Sequence, residues 1–293
     1  MDIIDLKIIK ILLRNSRTSY REIANELNLT VNAIHKRVQK MNEIGVIRKY
    51  TAKPNLANLL GHHILICGKS NAKSLTEISK ELGQHPSIFF VGISGGKFLH
   101  IDGELENLDD LQNYVTFVKE TAELEEPFVG QINQPLVNKP EIFTNNDKMI
   151  LHSLQEDGRK STIEIAEEIN LSTKTVRKAL KRMEEKNMVD FSIHWAPDSE
   201  KDYIGHFEIL LKKEQKVQQE ILKLLNDYPN IVYFQTFSNE PNSIMLTTWH
   251  DTSKKTQTFH EELETLGYSE VILRVIYNGY FFETWRTKYI EEL

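Results

Sequence analysis

Apolar residues recur at helical spacing from the first turns of the chain. Leu6, Ile9 and Leu13, with Ile8 and Leu12 beside them, form one stripe, the mark of an amphipathic helix. Polar Asn15-Ser16-Arg17-Thr18 breaks it. Ser19-x-x-Glu22 then reads as a capping box, in which each side chain satisfies the other residue's backbone N–H. Ile23, Ala24 and Leu27 give a short second helix its buried face. Asn28 suits a left-handed helix end, Leu29 plugs the turn, and Thr30 caps a third helix. The core face of that helix is Ile34, Val38 and Met41, and it ends near Gly45. Val46 to Thr51 alternates weakly, as a strand or wing does.

The same punctuation returns 142 positions later, where Ser161 to Val189 repeats Ser19 to Ile47 without a gap. Asp147 matches Asp5, while Ile150 and Leu154 match Ile8 and Leu12. Ser161-x-x-Glu164 repeats the capping box and Asn170-Leu171-Ser172 repeats the turn. Val176, Leu180 and Met183 repeat the third helix's core face, and Asn187 stands for Gly45. An internal repeat fixes the architecture, and this unit is a helix-turn-helix present twice.

The segments after each copy are related more loosely. Gly61-His62 matches Gly205-His206, and each opens a strand-like run followed by a helical stretch, Ser74 to Leu82 or Val217 to Leu225. Pro86 and Pro229 each precede two strands, a further helix and a last strand, near 127–132 or 270–277. The order β-α-β-β-α-β is ferredoxin-like. The expected fold class is α+β. Two winged helix-turn-helix domains (1–53 and 144–197) alternate with two ferredoxin-like αβ sandwich domains (54–135 and 198–293, the latter with a C-terminal tail). A linker covers 136–143.

Charge changes the picture by where it sits. The net charge of −6 argues against a nucleic-acid partner, but distribution matters more than the sum. Lys36, Arg37, Lys40, Arg48 and Lys49, opposed by Glu43, give Thr30–Lys49 a net +4. Lys174, Arg177, Lys178, Lys181, Arg182 and Lys186, opposed by Glu184 and Glu185, give Ser172–Lys186 the same +4. Ile101 to Pro127 instead carries nine carboxylates against Lys119 alone. The third helices are therefore basic in an acidic chain. A helix in the major groove reads base edges with its N-terminal residues. Asn32, Ala33, His35 and Lys36, with Thr30 at the cap, hold those places in the first copy. Lys174, Thr175, Arg177 and Lys178 hold them in the second. Arg37, Lys40, Arg48, Lys49, Lys181 and Arg182 lie deeper, where phosphate contacts are expected. The wings differ: Asp190 and Phe191 replace Arg48 and Lys49, and His194 is the second wing's one candidate positive charge.

The chain resembles the Lrp/AsnC family of bacterial and archaeal transcription regulators. The likeness is carried by Asp5-Leu6-Lys7-Ile8-Ile9, Ser19-x-x-Glu22-Ile23-Ala24, Leu29-Thr30, Arg37-Val38, Gly45-Val46-Ile47-x-x-Tyr50-Thr51 and His85-Pro86. It spans the chain as two family-length units in tandem. The resemblance implies double-stranded DNA as partner and αβ domains that pair through their sheets, within one chain or between chains of a homodimer. It also implies an amino-acid effector, for which Gly95 and Gly96 are the candidate positions. The family's Gly-x-Tyr-Asp-like turn departs here to Ser94-Gly95-Gly96-Lys97-Phe98, and to Phe237-Ser238-Asn239-Glu240-Pro241-Asn242 in the second unit; a glycine pair is also an ordinary hairpin turn.

No cofactor, metal or catalytic residue is expected, because nucleophile-elbow, phosphate-loop and zinc signatures are missing. The lone Cys67 points to a reducing cytoplasm and to a buried hydrophobe, and no run reaches the ~20 apolar residues of a membrane span. Two other classes remain open. One is an enzyme like the siroheme decarboxylases, which share this architecture and would use histidines such as His62, His63, His100, His206 and His250. The other is a ligand-sensing or protein-interaction module that does not bind DNA.

Overall fold

The computed structural model describes residues 1–135, 137, 139–196 and 202–291. Leu136 and Asn138 of the expected linker, and the 197/198 boundary, lie outside the described residues. In chain order, helices α1 (Ile3–Arg14), α2 (Tyr20–Leu27) and α3 (Val31–Glu43) precede strand β1 (Ile47–Pro54). Strand β2 (His62–Ser70), helix α4 (Leu75–Leu82), strands β3 (Ile88–Ser94) and β4 (Phe98–Leu105), helix α5 (Leu111–Thr121) and strand β5 (Leu124–Gln131) follow. The pattern then repeats. Helices α6 (Asn145–Ser153), α7 (Thr162–Glu168) and α8 (Thr173–Glu185) lead to strands β6 (Val189–Trp195) and β7 (Tyr203–Leu210). Helix α9 (Val217–Asp227), strands β8 (Ile231–Thr236) and β9 (Ser243–His250), helix α10 (Ser253–Thr265), strand β10 (Glu270–Phe281) and helix α11 (Trp285–Glu291) complete it.

The chain condenses into two compact units, each drawing on both repeats. One holds Met1–Leu6, His62–Gln134 and Pro197–Phe282; the other holds Lys7–Gly61, Pro135–Ala196 and Glu283–Leu293. The helix ends follow the local sequence. Both expected capping boxes form, at Ser19/Glu22 and Ser161/Glu164, and Thr144/Asp147 adds a third on α6. Asn28, Asn170, Gly45 and Asn187 all take positive φ, between 49° and 73°. Ile34, Val38 and Met41 on α3, and Val176, Leu180 and Met183 on α8, are buried as the spacing predicts. The second copy's core also takes in Ala52, Phe143 and, from α11, Ile290. The last helix of the C-terminal tail, α11, therefore packs in the helix-turn-helix unit.

In the other unit the eight strands run in the order β5-β2-β4-β3-β10-β7-β9-β8. Each half has the ferredoxin-like order, with its last strand beside its first. The halves join where β10 continues to Phe281 and pairs antiparallel with β3, Gly279 opposite Gly92 and Phe281 opposite Phe90. Ile132 bridges to Phe237, lacing β5 to the end of β8. Alternation then sorts the side chains. Ile64, Ile66, Leu99 and Ile101 face α4 and α5, while Phe207, Ile209, Ile244 and Leu246 face α9 and α10. On the opposite face, Leu65 and Cys67 from one half meet Phe237 and Met245 from the other. The αβ halves therefore pair within a single chain.

Candidate nucleic-acid interface

The two wings are strands of one sheet. β1 and β6 pair antiparallel, with Tyr50 opposite Ile193 and Thr51 opposite Ser192. Tyr50 and Ser192 are repeat equivalents, as are Thr51 and Ile193. Exchanging the copies therefore maps the pairing onto itself, as a local two-fold axis requires. The junction is reinforced by two residues at the same repeat offset, Arg17 and Arg159. Arg17 Nη1 donates to the carbonyls of Gly158 (2.8 Å) and Lys160 (3.0 Å). Arg159 Nη2 donates to the carbonyl of Thr18 at 2.9 Å, and its guanidinium lies 4.3 Å from the Tyr20 ring centre. Hydrogen bonds to charged groups contribute about 1.5–3 kcal/mol. Gly158 lies against the wing so closely that a Cβ there would meet the Thr51 carbonyl oxygen at 2.5 Å. In the sequence alone Arg17 reads only as part of a helix break, and Arg159 goes unmarked. The signal available was the shared offset.

This junction holds α3 and α8 as equivalent elements. Thr30 Oγ1 caps α3 by accepting from Ala33 N at 3.2 Å, and Ser172 Oγ caps α8 by accepting from Thr175 N at 3.1 Å. With their apolar faces buried, the opposite faces carry exposed Asn32, His35, Lys36 and Lys40 on α3 and Lys174, Arg177, Lys178 and Lys181 on α8. Arg37 and Thr175 are half-buried, Thr30 is exposed at its cap, and Arg48 is exposed on β1. The His35 ring stands edge-on to Tyr20 at 5.5 Å between centres.

Two of the basic candidates, Arg182 and Lys49, form ion pairs within the protein. Arg182 binds the Asp147 carboxylate, which is fully buried at the start of α6, and so ties α8 to α6. Lys49 and the neighbouring Lys53 both pair with Glu283, at 3.4 and 3.2 Å. Burial would raise the Glu283 carboxyl, but Lys53, the Thr287 hydroxyl and Lys49 outweigh it and hold it at about 2. The tail thus neutralises charge that the sequence assigned to phosphate contact. His194 supplies no charge to the second wing near neutrality: burial, with Lys53 beside it, holds the imidazole at about 4. Lys181 makes an exposed i,i+4 pair with Glu185.

Gly95 and Gly96 form the exposed turn between β3 and β4. Gly96 sits at φ 72°, where a glycine is favoured, and Lys97 Nζ donates to the Ala72 carbonyl beside it. The histidines divide. His63 Nε2 lies 3.0 Å from Asp102 Oδ1. His100 and His206, one from each half, meet inside the sheet with their Nδ1 atoms 3.2 Å apart. Burial lowers His100 well below its ordinary range and His206 to about 4. His250 lies within 2.9 Å of Thr248 Oγ1. Among the described residues no three His, Cys, Asp or Glu side chains are grouped to hold a metal ion, and no helix is long and apolar enough to cross a membrane.

Comparison with known proteins follows the repeat. A family model described as winged helix-turn-helix DNA-binding matches residues 1–48 and again 143–190. A relative from Pyrococcus abyssi, named as an uncharacterized HTH-type transcriptional regulator, is 35% identical over 117 residues, 39% of this chain and 80% of its own. The HTH-type transcriptional regulator FL11 of Pyrococcus furiosus is 33% identical over 121 residues, 40% of this chain and 80% of its own. Each relative is thus about half as long as this chain. Among solved structures, siroheme decarboxylase NirDL is similar over 99% of this chain and 98% of its own, with a TM-score of 0.62 and 14% identity. That likeness is one of fold.

Proposed function

The chain belongs to the Lrp/AsnC family of winged helix-turn-helix transcriptional regulators, and from that premise we propose that it binds double-stranded DNA sequence-specifically, one chain supplying both readers. Helix-turn-helix dimers set their recognition helices about 34 Å apart, one turn of duplex. Here the β1–β6 pairing and the reciprocal Arg17 and Arg159 bonds do within one chain what a dimer interface does between two. That local two-fold axis, with a basic exposed face on each related helix, is the observation that carries the reading. Asn32, His35 and Lys36, and Lys174, Thr175, Arg177 and Lys178, face base edges. Thr30 orders the first turn of α3, and Arg37, Lys40, Arg48 and Lys181 take phosphates. Lys49 and Arg182 contribute less, being held by Glu283 and Asp147.

Titration of a labelled duplex at several salt concentrations tests this. Affinity falls steeply with salt, and Lys40→Ala on α3 and Lys181→Ala on α8 each weaken binding and reduce the slope of log K against log salt by about 1. Unchanged affinity and slope in both variants would remove α3 and α8 as readers. Effector sensing at Gly95 and Gly96 rests on family membership, and a thermal-shift screen of free amino acids tests it. On this reading the chain is a regulator and not an enzyme. An added iron tetrapyrrole keeps its free absorbance spectrum, and a shifted band would revive the decarboxylase reading.

A further inference from the structure

The pseudo-dimer differs from a true one in a way that bears on its target. Each reading position on α3 has its equivalent on α8 at the same repeat offset, and the chemistry changes at most of them. Val31, Asn32 and His35 stand where α8 has Thr173, Lys174 and Arg177; only Lys36 keeps its type, as Lys178. All of these side chains are exposed. Val31 is a large apolar residue left 46% exposed in the first turn of α3. It adds nothing to the α3 core, which is Ile34, Val38 and Met41.

The major groove distinguishes these sets. Asparagine pairs bidentately with the N6 and N7 edge of adenine, and an apolar side chain packs on the thymine methyl group. Arginine and lysine instead take O6 and N7 of guanine. The supports differ as well. His35 is braced edge-on by Tyr20, which is covered in turn by Arg159 from the other copy. The position equivalent to Tyr20 is Thr162, so Arg177 has no corresponding ring behind it.

We propose that the chain reads an asymmetric operator, with an A·T half-site read by α3 through Asn32 and Val31 and a guanine-containing half-site read by α8 through Lys174 and Arg177. The proposal rests on the DNA-reading function above and assigns the base class to each half. A homodimer built on the same axis would call for a palindrome; this chain calls for two different half-sites in fixed order, one helical turn apart.

The test is selection of bound duplexes from a random pool with the full chain, followed by the same selection with Asn32→Lys/His35→Arg, which gives α3 the chemistry of α8. The wild type enriches one A·T-bearing and one guanine-bearing element. The double variant converts the first into a second guanine-bearing element, so that the motif becomes a near palindrome. It also loses roughly 10- to 100-fold in affinity for the wild-type site, the scale of one good bidentate contact. The substituted residues are exposed, and an unchanged circular-dichroism melt confirms that the fold is retained. A palindromic wild-type motif, or a motif unaltered by the double variant, overturns the half-site assignment while leaving DNA binding intact. Recovery of no enriched sequence, with no salt-dependent binding of any duplex, overturns the DNA-reading function itself.

Discussion

The two winged helices are alike in fold and unlike in what they do with their charges. The first keeps Arg48 exposed on its wing but cedes Lys49 and Lys53 to Glu283. The second has Asp190 and Phe191 at the matching wing positions, with Asp190 bound by buried Arg286 of the tail. It draws Arg182 off the back of α8 to Asp147 and keeps Lys174, Arg177 and Lys178 exposed. Duplication preserved the devices that form the fold, the caps, turns and apolar stripes, because each is local and each is needed for packing. Surface positions were free to diverge, and the C-terminal helix α11 settled on the wings and the second copy.

The largest expected effect comes from breaking what the copies share. Arg17→Ala/Arg159→Ala removes both reciprocal bonds across the local axis and should lower stability in urea unfolding by about 3–5 kcal/mol. Duplex affinity should fall with it as the two readers lose their fixed spacing. A loss below 1 kcal/mol would mean that the β1–β6 pairing alone holds the copies together. A smaller effect separates them. Asp147→Ala removes the buried carboxylate that holds Arg182 and completes the α6 capping box, and should cost about 2–3 kcal/mol. Asp5→Ala at the half-buried equivalent should cost less, and equal losses would put the two helix supports on one footing.

A pH effect between neutrality and ~4.5 separates the two wings. His194 is held at about 4 in the folded chain, below the ~6.5 of a free imidazole. In the window between these values the unfolded chain binds the extra proton. The stability that neutral His194 contributes is thus complete above ~6.5 and is lost as pH falls toward 4. His194→Gln should flatten the fall in urea midpoint between pH 7 and 4.5; Ala52, its repeat equivalent, does not titrate. An unaltered pH profile would remove this difference. The smallest effect is on the first wing. Glu283→Gln frees Lys49 and Lys53 of their counter-charge and should tighten duplex binding a few-fold at low salt, with a steeper salt slope. Weaker binding would show that the tail supports the wing more than it neutralises it.

What the sequence disclosed was local. Ser19/Glu22, Asn28 and Gly45 each act within a few residues of themselves, so their roles could be read from spacing, and the repeat doubled every such reading. What it withheld depends on distant partners. A strand does not name its neighbour, so β1 and β6 were legible as wings and not as a pair. Lys49 and Arg182 looked free because Glu283 and Asp147 stand 234 and 35 residues away along the chain. Arg17 and Arg159 lie in the break between helices, where side-chain periodicity carries no information. The extension of β10 through Tyr280 and Phe281, past the strand expected near 270–277, is not legible in the sequence because its partner, β3, belongs to the other half.

On the proposed function, one chain carries both readers in fixed relation. Nuclease footprinting of the full chain on a selected duplex, with the mass of the complex measured alongside, tests it most directly. Two protected major-groove segments about 10 bp apart, between centres, are expected for each bound chain. One protected groove per chain, or two only when two chains are bound, would contradict it.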